Sequence, residues 1–163
     1  MHISPAENLP QNRSERYPVI RAGLIALLEG ETDPVACMAN AAALLFTSLG
    51  YHWVGFYRVM GSELVLGPFQ GPVACTRIGY GKGVCGTAWK ENRSLRVPDV
   101  DAFPGHIACS SLSRSELVIP LRDRLNQVQA VLDIDSALLD DFSDTDQREL
   151  ELLAAELEKV LFA

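Results

Sequence analysis

The chain has 163 residues, 48% of them hydrophobic and 21% charged, with a formal net charge of −7. That length suits one domain, and the composition excludes an intrinsically disordered chain. The acidic balance argues against a nucleic-acid partner, which calls for clustered Lys and Arg, and no apolar run approaches the roughly 20 residues that span a bilayer.

Residues 1–16 read as a flexible arm and residues 17–163 as a single domain. Residues 1–11 show no charged segment followed by an apolar one, so no secretion signal is expected. The expected setting is cytoplasmic, where thiols stay reduced. A first helix is expected from Tyr17 or Pro18 to Glu29. Val19, Ile20, Gly23, Leu24, Leu27 and Leu28 lie at helical spacing, and Gly30 stops it. Asp33 or Thr32 caps a second helix, with Pro34 in its first turn. Its stripe runs Val35, Met38, Ala39, Ala42, Leu45, Phe46, Leu49, and Gly50 is the stop. Cys37 falls inside this helix and reads as a small buried hydrophobe.

Residues 52–59 alternate and are rich in aromatic and branched side chains, so they form a strand. Gly61-Ser62 turns that strand into residues 63–69 as a hairpin. A loop with Cys75 follows. Gly81-Lys82-Gly83-Val84-Cys85-Gly86 then leads into a short helix to about Asn92. Residues 95–97 make a short strand. Residues 98–113 are irregular, carry Cys109, and are longer than a compact domain tolerates without a functional reason. Residues 115–121 and 127–136 form two antiparallel strands joined by a turn. Ser143 caps a last helix with Asp146 in a capping-box position, and Leu150, Leu153, Ala154, Leu157, Val160 and Leu161 are its apolar face. This order describes an α+β domain with a central antiparallel sheet, helices on one face and long loops on the other.

Three of the four cysteines, Cys75, Cys85 and Cys109, sit in glycine- and serine-rich loops. A thiolate is a nucleophile, and Cys85 lies near a predicted helix N-terminus that favours an anion. Two thiols from distant loops can cycle between dithiol and disulfide. The bland reading is three unrelated small residues. Structural zinc is not expected, since no C-x2-C pair exists and His106-x-x-Cys109 stands alone. Asp133 and Asp135 are two apart, so both point to one strand face, and Glu116 opens the neighbouring strand. Such a cluster binds cations or raises a carboxyl pKa; a solvated strand end is the plain alternative. Trp53 and Tyr57 also share a face, for stacking on a methyl or cationic group or for core packing. The glycines at 79, 81, 83 and 86 let a backbone approach closely and their amides can hold an anion.

Together these stretches resemble free methionine-(R)-sulfoxide reductase, a GAF-fold enzyme. The likeness rests on Trp53-Val54-Gly55-Phe56-Tyr57, Gln70-Gly71-Pro72-Val73-Ala74-Cys75 and Gly81-Lys82-Gly83-Val84-Cys85-Gly86. It extends to Phe103-Pro104-Gly105-His106-Ile107-Ala108-Cys109, Ser115-Glu116-Leu117-Val118-Ile119-Pro120 and Leu132-Asp133-Ile134-Asp135-Ser136. The resemblance implies a GAF-like sheet with the terminal helices on one face and a loop-lined pocket on the other. It implies Cys109 as nucleophile, Cys75 as resolving thiol, Cys85 as auxiliary thiol, and thioredoxin as reductant, with no cofactor and no metal. Glu116 and Asp135 would lie near the sulfoxide oxygen and Asp133 near the amine, with Trp53 and Tyr57 walling the methyl group. The amphipathic terminal helices would suit a homodimer. Where the family has an acid after the nucleophile, this chain has Ser110, which would alter the rate or its pH dependence. The alternative is a non-catalytic GAF sensor module that binds a small ligand.

Overall fold

The structure is a computed structural model and describes residues 9–163. Helix α1 spans Arg13–Leu28 and begins four residues before the expected Tyr17. The expected arm over residues 1–16 is corrected accordingly: residues 13–16 are helix, and residues 1–8 lie outside the described residues. The physical reason is that polar residues start this helix, and they carry no apolar periodicity. The Asn12 side chain accepts from the Ser14 amide at 3.1 Å. The Arg13 guanidinium reaches the carboxylates of Asp141 and Asp146, each at 3.0 Å. Pro18 therefore lies inside the helix rather than at its opening.

Helix α2 spans Pro34–Leu49, with Asp33 capping the Ala36 amide at 2.8 Å and Gly50 closing it in the left-handed region. Strands β1 (Trp53–Met60) and β2 (Glu63–Gln70) form the expected hairpin. A short strand β3, Arg77–Gly79, follows. Sequence pattern misses β3 because three residues give no alternation to read. Helix α3 spans Gly83–Glu91 and strand β4 Leu95–Val97. Residues 98–113 are irregular apart from one 3-10 turn at Val100–Ala102. Strands β5 (Ser115–Arg122) and β6 (Val128–Ser136) precede helix α4, Asp144–Leu161. The predicted capping box forms: Asp146 accepts from the Ser143 amide while the Ser143 hydroxyl accepts from the Asp146 amide.

All the strand pairs are antiparallel, in the order β3-β2-β1-β6-β5-β4. Side chains alternate across the sheet. One face carries Val54, Phe56, Leu117, Ile119, Leu121, Leu132 and Ile134, which pack under α1, α2 and α4 with Tyr17, Ile20, Leu45 and Leu150. Each such aliphatic or aromatic side chain contributes about 1.5–3 kcal/mol on full burial, so this layer dominates the stability. The opposite face carries a second, smaller apolar cluster with Trp53, Tyr57, Val118 and Val131, covered by α3 through Val84, Cys85 and Ala88. The expected division into helices on one face and loops on the other thus holds, with α3 added to the loop side. No helix among the described residues is long and apolar enough to cross a membrane.

Candidate active site

Strand register builds the floor of a recess on the α3 side of the sheet. In one cross-strand row Glu116 of β5 lies opposite Asp135 of β6, and Asp135 lies opposite Trp53 of β1. The next row on this face holds Val118, Asp133 and Gly55. A third row holds Pro120, Val131 and Tyr57. The period of two that put Asp133 beside Asp135, and Trp53 beside Tyr57, therefore predicted their shared face correctly. Glu116 joins the acids because β5 and β6 pair in that register.

Gly55 makes room for an aromatic wall. A Cβ built there would stand 2.4 Å from Phe69 Cβ and 2.5 Å from the Trp53 ring. Trp53 stacks on Phe69 with ring centroids 5.2 Å apart and on Tyr57 at 6.0 Å. Both polar tips are used. Trp53 Nε1 donates to the Pro72 carbonyl at 3.0 Å, and the Tyr57 hydroxyl donates to the Cys75 carbonyl at 2.9 Å. The two aromatics of β1 thus grip the loop that carries Cys75.

Two loops close the recess. Cys75 and Cys109 are joined as a disulfide with Cα atoms 5.4 Å apart, across a sequence separation of 34. Cys85, in the first turn of α3, is a free, buried thiol. Its Sγ donates towards Glu116 Oε1 at 3.9 Å. Cys37 is also free and buried, in the core on the opposite face of the sheet. The lining of the recess includes Trp53, Tyr57, Cys85, His106, Cys109, Glu116, Asp133 and Asp135, around an empty volume of about 530 Å³ that includes its open mouth. The structure therefore brings seven of the eight candidate residues to the lining, and the eighth, Cys75, to its edge through the disulfide.

The electrostatics are those of a buried acidic cluster. Glu116 and Asp133 are each 6% exposed, and among the described residues no Lys or Arg lines the recess. Burial pushes Asp133 up to about 6. Burial, and then the charges of neighbouring acids, hold Glu116 and Asp135 well above the usual carboxylate range. Burial likewise holds the Cys85 thiol well above its ordinary value. At neutral pH this cluster retains protons, so it can both donate hydrogen bonds and deliver a proton to a bound oxygen. Oδ1 of Asp133 is buried without a hydrogen-bond partner.

Sequence reasoning missed Phe69 and His52, and it set His106 beside Cys109 without its link to Glu116. Phe69 completes the aromatic stack; it was read as strand, but only the register sets it opposite Gly55. His52 Nε2 and Ser110 Oγ share a hydrogen bond at 3.2 Å, which ties the Cys109 loop to the start of β1. His106 Nε2 stands 3.9 Å from Glu116 Oε2. The nearness of His106 to Cys109 in sequence was a signal; nothing in the sequence linked His52 to Ser110.

Comparison with known proteins adds to this geometry. The GAF domain family matches residues 33–161. GAF domain-containing protein A of Dictyostelium discoideum is 50% identical over 140 residues, covering 85% of this chain and 88% of that protein. The free methionine-R-sulfoxide reductase of Escherichia coli strain K12 is 48% identical over 151 residues, covering 92% of this chain and 91% of that one. A crystal structure of free methionine-R-sulfoxide reductase from Neisseria meningitidis, in complex with its substrate, superposes with a TM-score of 0.92 at 47% identity, covering 98% of this chain and 95% of that one.

Proposed function

The chain belongs to the GAF domain family, and we propose that it reduces free methionine-(R)-sulfoxide to methionine. The observation that carries this reading is the Cys75–Cys109 disulfide beside a recess floored by the buried acids Glu116 and Asp133 and the half-buried Asp135. A small-ligand sensor has no use for that pairing. The reaction does, because reducing a sulfoxide to a sulfide and water consumes two electrons, which a thiol pair supplies by closing to a disulfide.

Cys109, as thiolate, attacks the sulfoxide sulfur. A proton from Glu116 or Asp135 reaches the sulfoxide oxygen and makes the sulfur more electrophilic. The oxygen passes to Cys109 as a sulfenic acid, and methionine leaves. The Cys75 thiol then attacks the Cys109 sulfur, the disulfide forms, and water departs. Thioredoxin, a dithiol, returns both cysteines to thiols by exchange. Asp133 takes the substrate ammonium, and backbone amides of the Cys109 or glycine-rich loops take its carboxylate. Trp53 and Tyr57 wall the methyl group. A site that satisfies both free termini rejects a methionine sulfoxide inside a polypeptide, which lacks those charges. Cys85 serves as an auxiliary thiol. The working form is a cytoplasmic homodimer, supported by the exposed Val19, Ile25 and Val35 on α1 and α2.

The test is turnover of the two separated epimers of free methionine sulfoxide with thioredoxin and its reductase. Reduction of the R epimer, with none of the S epimer, is expected. No turnover of either, with thioredoxin or with dithiothreitol, overturns the reading in favour of the sensor.

A further inference from the structure

We propose that the floor of the recess is also a binding site for a thiophilic divalent cation of the zinc type, held by Cys85, Glu116 and Asp133. One ligand atom from each of these residues lies within 4.8 Å of the others, and all three residues are buried. Two of them are close to a metal's own geometry already. In a tetrahedral zinc site a sulfur at about 2.3 Å and an oxygen at about 2.1 Å are about 3.6 Å apart. Cys85 Sγ and Glu116 Oε1 stand 3.9 Å apart.

Three further observations point to a cation rather than to a merely protonated cluster. Asp133 is 6% exposed, yet its Oδ1 has no hydrogen-bond partner, which is a costly state for a buried oxygen. Among the described residues no Lys or Arg lines the recess to balance the acids. The donors also come from three rigid elements: α3 supplies Cys85, β5 Glu116 and β6 Asp133.

The donor set selects the ion. A thiolate with two carboxylates favours zinc over magnesium or calcium, which take oxygen ligands in larger number. Three protein ligands leave the fourth position open towards the recess. Binding replaces the thiol proton of Cys85 and the carboxyl proton of Glu116 by the metal and releases both protons to solvent. The search for close Cys and His pairs along the sequence does not see this site, since its donors are 31 and 17 residues apart, at 85, 116 and 133. The ion would stand where the substrate's ammonium and oxygen are proposed to bind, so it would block turnover. The binding itself does not depend on the reductase reading.

The disulfide form gives a clean test, because Cys37 and Cys85 are then the free thiols. The oxidised full-length chain is titrated with Co²⁺ as the spectroscopic probe, and zinc is used to displace it. The expected result is a thiolate-to-cobalt absorption band that saturates at one equivalent and is lost on adding zinc. Cys85→Ser should abolish the band and Cys37→Ser should keep it. Asp133→Asn, which preserves shape, should weaken affinity at least 10-fold. Circular dichroism of each variant reports that it is folded. The proposal is overturned by no saturable band, by a band that survives Cys85→Ser, or by Asp133→Asn binding as tightly as the parent chain.

Discussion

Asp133 is a buried acid whose charge the fold disfavours. Its carboxyl is raised from about 3.8 in the unfolded chain to about 6 in the fold by burial. Below pH 4 the group is protonated in both states and burial costs nothing in charge. As pH rises from about 4 to about 6 the unfolded chain ionises this acid while the fold keeps it protonated, so stability falls, and the loss is complete once pH has passed 6. A shift of about two units corresponds to about 3 kcal/mol. Asp133→Asn should therefore melt higher than the parent chain at pH 8 and nearly level with it at pH 4, while losing most of its activity. An unchanged difference between the two pH values would contradict the assignment. In the proposed mechanism Tyr57 belongs to a different step. Its hydroxyl holds the Cys75 carbonyl, a bond worth about 1 kcal/mol. Tyr57→Phe should slow disulfide closure after methionine release about fivefold and leave the first step near its normal rate. Rapid-quench trapping of the Cys109 sulfenic acid reads both steps.

At the scale of elements, Gly55 and the start of α4 are the informative places. Gly55→Ala would drive a methyl group into Phe69 and the Trp53 ring. Overpacking of that kind costs about 1–3 kcal/mol; the displaced Trp53 should raise KM more than it lowers kcat, as substrate titration would show. Ser143→Ala removes half of the capping box and should cost about 1 kcal/mol, or a Tm lower by about 2–4 °C, with activity unchanged. Strand β1 and the α4 cap were legible in the sequence, as was the shared face of Asp133 and Asp135, because each depends on local spacing; the close approach at Gly55 was not, because it depends on Phe69 across the hairpin. Strand β3 was not, because Arg77–Gly79 is too short to carry a period. The early start of α1 was not, because Arg13 is held by Asp141 and Asp146, more than a hundred residues away. The same holds for the His52–Ser110 contact. The pairing of Cys75 with Cys109 came from family resemblance and not from spacing, which left Cys85 equally eligible.

For the whole molecule, the disulfide links the loop after β2 to the loop before β5, so the two redox states differ in their unfolded ensembles. Closing a loop over a separation of 34 residues is worth about 3–4 kcal/mol in chain entropy. The oxidised chain should melt above the reduced one, and Cys75→Ser should remove that difference; equal melting temperatures would mean that the pair does not form in solution. The account's central claim is that methionine release and formation of this disulfide belong to one event on one chain. Single turnover of the reduced protein with the R epimer, followed by quantification of methionine and mapping of the disulfide, tests it most directly. The account predicts one methionine per Cys75–Cys109 disulfide, no reaction with the S epimer, and no methionine from Cys109→Ser. Methionine released without that disulfide, or from the Cys109→Ser chain, would contradict it.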